Sequence, residues 1–176
     1  MKPLLIVFSG LPATGKTTLA RELVKVLKAA YFRLDTIEHG IKELCSYNVQ
    51  GEGYRLSYRM AADNLALGND VIIDCCNPWK LTRDEWDKMA KDNNANIINI
   101  EIKCGNTIEY KERVENRIND IEGFVLPTWE EIENGMYEEW DRERIIIDTT
   151  DKTKEECLKE LKSKIHQYKD IFKKED

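Results

Sequence analysis

Leu4-Leu5-Ile6-Val7-Phe8, followed by Ser9-Gly10-Leu11-Pro12-Ala13-Thr14-Gly15-Lys16-Thr17-Thr18, decides how the rest of this chain is read. Leu4 to Phe8 is apolar with no polar alternation, the pattern of a parallel strand covered on both faces. It runs into Gly10-x4-Gly15-Lys16-Thr17, the G-x-x-x-x-G-K-[ST] spacing of a phosphate-binding loop. Leu19, Leu23, Val26 and Leu27 then recur at helical spacing. Glycines let backbone N–H groups curl around phosphate oxygens, and the following helix N-terminus adds partial positive charge. Gly10, Pro12, Ala13, Thr14, Gly15, Lys16, Thr17 and Thr18 are therefore the expected nucleotide-binding residues. Lys16 is expected to reach the β- and γ-phosphates and the Thr17 hydroxyl to ligate Mg²⁺. With a strand before, a helix after and every signature position filled, the stretch reads as a nucleoside triphosphate site rather than a chance glycine turn.

The chain has 176 residues, 41% hydrophobic and 34% charged, with a net charge of −6. That suits one domain spanning 1–176, long enough to bury roughly 70% of its unfolded surface. The acidic balance argues against a general polyanion-binding surface but leaves a local basic groove open. No apolar run approaches a membrane span and no secretory signal pattern is seen, so a cytoplasmic location is expected. Five cysteines without a C-x-x-C pair fit reduced packing thiols, and His39 and His166 suggest no metal cluster.

Along the chain, Ala30 to Leu34 reads as a strand ending in Asp35, with a helix over Thr36–Leu44. Tyr54 to Leu67 is helical and stops at Gly68-Asn69, and Val71-Ile72-Ile73 is a buried strand closing on Asp74. Thr82 to Glu85 has capping-box form and opens a helix to about Lys91. Asn96 to Cys104 is a strand with one polar face, read as nearer an edge. Thr107 to Asp120 is a charged helix, and a capping box at Thr128 starts another to about Trp140; together 107–140 form the expected helical lid region. Ile145-Ile146-Ile147 lies in the fifth strand, and Thr153-x-x-Glu156 caps the last helix. Alternating strands and helices imply a parallel α/β sheet with its ligand at the strands' carboxyl ends, where Gly10, Asp35 and Asp74 converge.

Asp74 fits a Mg²⁺-holding carboxylate, or a cap of the next turn. Asp35 fits a general base taking the proton of an attacking hydroxyl, or the N-cap of its helix. Arg113 and Arg117, four apart, are read as lid cations over a transferring phosphoryl group, or as part of a solvated helix face. Arg55 and Arg59 grip substrate or pair with local acids, and Asn77 and Arg83 are placed near the mouth as substrate contacts. Trp79 and Trp129 are packing residues or binding platforms.

Taken together, Gly10–Ala20, Arg33-Leu34-Asp35-Thr36-Ile37-Glu38, Gly53-Tyr54 through Gly68, Val71–Asp74 with Asn77-Pro78, and Arg113–Arg117 resemble the small P-loop kinases called AAA-type "predicted kinase" domains. That group stands near gluconate kinase, chloramphenicol phosphotransferase, zeta toxin and phage polynucleotide kinase. The resemblance implies a P-loop NTPase three-layer α/β/α sandwich with a five-stranded parallel sheet in the nucleoside-monophosphate-kinase-like order 2-3-1-4-5. It implies Asp35 as general base, Arg113 and Arg117 as lid arginines, and Arg144, Asp148 and Thr149 as neighbours of the adenine. The expected activity is an ATP- and Mg²⁺-dependent kinase acting on a hydroxyl of a small molecule. A 5′-hydroxyl polynucleotide kinase and an ATP-binding regulatory protein or NTPase without transfer stand as alternatives.

Overall fold

The computed structural model describes residues 2–175. Five parallel strands form one sheet in the order β2-β3-β1-β4-β5: β1 (Leu4–Ser9), β2 (Ala30–Arg33), β3 (Val71–Asp74), β4 (Asn96–Lys103) and β5 (Ile145–Asp148). The expected order is the one found. Helices α1 (Lys16–Leu27), α2 (Leu34–Cys45), α3 (Glu52–Ala66), α4 (Lys80–Asp92), α5 (Thr107–Asn116), α6 (Trp129–Glu133) and α7 (Lys154–Glu175) surround it.

Strand pleating sends alternate side chains of β1 into two separate cores. Leu4, Ile6 and Phe8 pack with Leu19 and Leu23 of α1 and with Cys157, Leu161 and Ile165 of α7. Leu5 and Val7 pack with Ala61 and Leu65 of α3 and with Trp86, Met89 and Ala90 of α4. An unbroken apolar run is thus what a central strand between two helical layers requires. A third, smaller cluster joins Tyr110 and Val114 of α5 to Ile132 of α6, with Leu11, Ala13 and Trp129 against it. This cluster seats α5 and α6 on the phosphate loop.

Helix ends follow local chemistry. At the end of α3, Asn69 N–H donates to the Asn64 carbonyl (3.0 Å) and Gly68 N–H to Leu65 (2.9 Å), with Gly68 at φ 83°. Thr153 and Glu156 cap α7 reciprocally, as do Thr128 and Glu131 for α6.

Four boundaries depart from expectation. Strand β2 stops at Arg33, so Asp35 lies in the first turn of α2. Helix α4 begins at Lys80; its N-cap is Trp79, and the Thr82 hydroxyl faces Asn77 Oδ1 (2.7 Å) and the Trp79 carbonyl (2.9 Å), so Thr82 opens no capping box. Strand β4 lies between β1 and β5, one strand in from the sheet edge; its polar residue Glu101 is buried and neutralised by Arg144 (2.6 Å) and Lys103 (3.3 Å). Helix α5 ends at Asn116 and α6 at Glu133, short of Asp120 and Trp140.

Arg83 explains the last of these. Its side chain is fully buried, with Nε donating to the Asn77 carbonyl (3.1 Å) and Nη1 to Glu139 (3.0 Å). Nη2 donates to the carbonyls of Pro78 (3.1 Å) and Glu138 (2.9 Å), and the guanidinium lies 4.2 Å from the Trp140 ring centroid. Carbonyls of residues 138 and 139 turn to Arg83, and the segment becomes a strap across the start of α4 instead of a helix.

Candidate active site

The phosphate loop is built around Gly10 and Gly15. Gly10 has φ 133°, and a Cβ there would sit 2.2 Å from the Ile102 carbonyl oxygen, so no other residue fits. Its N–H donates to the Cys76 carbonyl (3.1 Å), and Cys75 N–H to Phe8 (3.2 Å), continuing the β1–β3 pairing. This close strand approach gives the two small cysteines their place after Asp74. Both thiols are free, and burial pushes them up, away from the reactive thiolate. Gly15, at φ 99°, is the N-cap of α1. Lys16 is buried and Nζ donates to the Leu11 carbonyl (2.7 Å) of its own loop, leaving two ammonium donors for a ligand. Tyr110 Oη donates to the Pro12 carbonyl (2.9 Å) and steadies the loop's outer edge.

Above the loop is a cavity of about 570 Å³. Of the sequence-predicted residues, Pro12, Ala13, Gly15, Lys16, Thr17, Thr18, Asp35, Asp74, Arg113 and Arg117 line it. Gly10 and Thr14 lie beneath and shape the loop. Thr149 is buried; its hydroxyl stands 3.1 Å from the Thr14 carbonyl and 3.0 Å from that of Lys103.

Asp35 stands at the second position of α2, whose N-cap is Arg33, so the carboxylate is not the helix cap. Arg33 Nη2 lies 3.6 Å from it. Burial raises the Asp35 pKa, opposed by Lys16 and Arg33; Asp74 adds to the rise and Arg117 opposes it. One helical turn on, Glu38 is pushed to about 7 by burial and by the charges of Asp35 and Glu52. Asp74 is buried at the end of β3 and accepts a hydrogen bond from the Tyr31 hydroxyl (2.8 Å). It does not cap α4, whose N-cap is Trp79.

Thr17 and Asp74 present hard oxygens to one cavity, a donor set that suits Mg²⁺. Among the described residues no three His, Cys, Asp or Glu side chains gather as a metal cluster. A Mg²⁺ ion here would accordingly be completed by phosphate oxygens and water, the usual habit of this ion.

Arg113 donates through Nη1 to Thr149 Oγ1 (2.7 Å) and through Nη2 to the Thr149 carbonyl (2.9 Å) and Glu109. Arg117 follows the last turn of α5 in extended backbone, so the two arginines do not share one helix face; loop geometry brings both to the cavity. Arg117 Nη2 lies 3.4 Å from the Pro127 carbonyl, Nε is buried without a hydrogen-bond partner, and burial lowers its pKa.

Other expectations land elsewhere. Arg55 and Arg59 are exposed on α3 and do not line the cavity. Asn77 and Arg83, expected at the mouth, are fully buried: Asn77 Nδ2 donates to Ser9 Oγ (3.0 Å), its N–H to the Tyr54 hydroxyl (3.0 Å), and Arg83 holds the strap. Their polar groups are committed to the fold. Arg144 precedes β5, at the strand end away from the phosphate loop, where it pairs with Glu101 and lies over Trp140, so it is no neighbour of a base at the loop. Asp148 accepts from Gly105 N–H (3.3 Å) and from the Thr150 hydroxyl (2.7 Å). Trp129 packs edge-on against Tyr110, and Trp79 is 40% exposed.

Sequence reasoning missed Arg21, Arg33 and Asp120, all on the cavity wall. Arg33 Nη1 donates to both Asp120 oxygens (2.9 Å each) and Arg21 Nη2 to Oδ2 (2.7 Å). His39 Nε2 lies 2.8 Å from the Glu122 carbonyl, and Phe124 packs edge-on against the His39 ring. These contacts draw the segment after α5 over the cavity. Ion pairs spanning 87 and 99 residues leave no local spacing to find.

Comparison with known proteins agrees with this architecture. The AAA_33 family, described as an AAA domain, matches residues 5–131. The chain is 30% identical over 166 residues to the L-seryl-tRNA(Sec) kinase of Methanococcus maripaludis, covering 85% of this chain and 60% of that protein. It thus spans less than two thirds of that relative. A gluconokinase from Sinorhizobium meliloti 1021 superposes with TM-score 0.69 at 13% identity, covering 99% of both chains. The Mycobacterium tuberculosis APS kinase CysC, solved with AMPPNP and APS, does so with TM-score 0.70 at 17% identity, covering 94% of this chain and 98% of that one. The chain belongs to the AAA_33 family and is a kinase-like P-loop domain.

Proposed function

We propose that the protein is an ATP- and Mg²⁺-dependent phosphotransferase that moves a γ-phosphoryl group to a hydroxyl. One observation carries this reading: Lys16, Asp35 and Arg117 reach a single cavity above a phosphate loop from three different parts of the chain. Loop amides and Lys16 bind the β- and γ-phosphates. Thr17 and Asp74 hold Mg²⁺, which supplies charge neutralisation when bound. Asp35 orients the acceptor hydroxyl and takes its proton as the new O–P bond forms and the bond to the ADP oxygen breaks. Arg117, with Arg113 beside it, sets positive charge against the transferring group. Burial holds the Asp35 pKa up, which makes it a stronger base than a surface aspartate.

The acceptor is a small hydroxyl compound in this reading. A second reading, a seryl hydroxyl carried on tRNA, is supported by the 30% identity to L-seryl-tRNA(Sec) kinase. The net charge of −6 disfavours broad nucleic-acid binding, including a polynucleotide 5′-end. Incubation with Mg²⁺ and γ-labelled ATP, against a pool of small hydroxyl compounds, seryl-tRNA and an oligonucleotide, separates these. Label on an acceptor supports transfer and names its class. Label found only as inorganic phosphate overturns it in favour of an NTPase.

A further inference from the structure

Arg33 is poorly placed for a merely structural pairing. Its side chain is only 11% exposed and its Nε is a buried donor without a hydrogen-bond partner. Its Nη1 grips both oxygens of Asp120, a residue of the segment that covers the cavity. Arg21 of α1 closes on the same carboxylate from the other side. Asp120 is 41% exposed and its partner Arg21 50%, so solvent reaches this end of the pairing. If the covering segment lifts, two guanidinium groups from rigid elements remain, with no other carboxylate hydrogen-bonded to Nη1. Arg33 Nη2 meanwhile stands 3.6 Å from Asp35. A ligand anion on Arg33 and a hydroxyl on Asp35 are thus separated by one guanidinium, the span of a small hydroxy acid or sugar phosphate. Two-point recognition of a carboxylate or phosphate is what a guanidinium fork does best.

We propose that Arg33 and Arg21 form a binding site for an anionic group, carboxylate or phosphate, carried by the phosphoryl acceptor, and that Asp120 occupies this site when no acceptor is bound. The proposal rests on the phosphotransferase reading for the word acceptor, but its test reads binding alone. An internal competitor lowers apparent affinity by the fraction of time it holds the site, so removing it tightens binding. A lid latch does the reverse: losing it loosens whatever the lid covers.

The protein is saturated with Mg²⁺ and AMPPNP and titrated calorimetrically with glycerate, glycerol 1-phosphate and glycerol, as wild type, Asp120→Asn, Arg33→Gln and Arg33→Lys. The expected result is binding of at least one anionic probe and none of glycerol. It tightens about three- to tenfold in Asp120→Asn and weakens by about tenfold or more in Arg33→Gln, with thermal melts confirming folded protein. Arg33→Lys retains part of the affinity, since charge survives and the fork does not. Preference for glycerate assigns a carboxylate, and for glycerol 1-phosphate a phosphate. Weaker anion binding in Asp120→Asn, equal binding of glycerol, or no binding by any form overturns the proposal. With ATP in place of AMPPNP, anion binding without phosphoryl transfer to any acceptor leaves the site standing and removes the kinase reading. Transfer to neutral alcohols alone, with Asp120→Asn unaffected, does the opposite.

Discussion

Replacing Arg83 with methionine separates a fold residue from a substrate residue. The side chain is fully buried and donates four hydrogen bonds to the carbonyls of Asn77, Pro78, Glu138 and Glu139. It also lies over Trp140 at 4.2 Å and Tyr137 at 5.3 Å. Methionine keeps most of the volume and the apolar contact but none of the donors. Each stranded acceptor costs about 1–3 kcal/mol, less where water reaches it. Residues 138 and 139 are exposed, so their carbonyls rehydrate in part, and the Pro78 carbonyl keeps the Glu138 N–H (2.8 Å); the buried Asn77 carbonyl is the one left stranded. The sum comes to about 2–4 kcal/mol. At about 2–4 °C per kcal/mol for a chain of this size, the melting temperature falls by about 4–16 °C. Thermal unfolding followed by circular dichroism reads this directly. An unchanged melting temperature, with a large rise in KM for the acceptor, would refute the structural role and return Arg83 to the substrate site.

Four further substitutions have defined outcomes. Gly10→Ala places a Cβ 2.2 Å from the Ile102 carbonyl oxygen and costs about 3 kcal/mol or more in urea unfolding; Gly40→Ala, in a helix with nothing within 4 Å, stabilises by about 0.5–1 kcal/mol. Glu38 has its folded pKa raised to about 7, so its contribution to stability is full below the ordinary carboxylate range and is lost as pH rises through 7. Glu38→Gln therefore gains in melting temperature over wild type between pH 5 and pH 8, and a gain that stays flat across that range contradicts the assignment. Arg117→Ala lowers kcat by about 10²–10³ with a smaller effect on KM for ATP, whereas a solvated arginine leaves both untouched.

The sheet was legible because its inner strands are buried on both faces, which forces apolar runs such as Leu4–Phe8 and Val71–Ile73. The phosphate loop was legible because backbone geometry demands Gly10 and Gly15 at fixed spacing. On β4, Glu101 mimics a solvent-facing position, yet it is buried and neutralised by Arg144. Helices α5 and α6 read too long because charged residues with good helix propensity continue past the last packed turn, Val114 in one and Ile132 in the other. Arg83 misled for the same reason in reverse, a charged residue with its whole guanidinium in the interior. Asp35, Asp74, Arg113 and Arg117 reached the cavity as expected, since strand ends and the element after β4 must meet there. Arg21, Arg33 and Asp120 are joined only by the fold.

The central claim is that Asp35 serves the chemical step and not the binding of nucleotide. Asp35→Asn keeps the shape and removes the base. ATP affinity by calorimetry and single-turnover transfer from γ-labelled ATP, measured on the same preparation, test it most directly. The account predicts ATP affinity within about twofold of wild type and transfer slowed by about 10²–10⁴. Transfer at the wild-type rate would contradict it, as would a loss of transfer explained wholly by lost ATP binding.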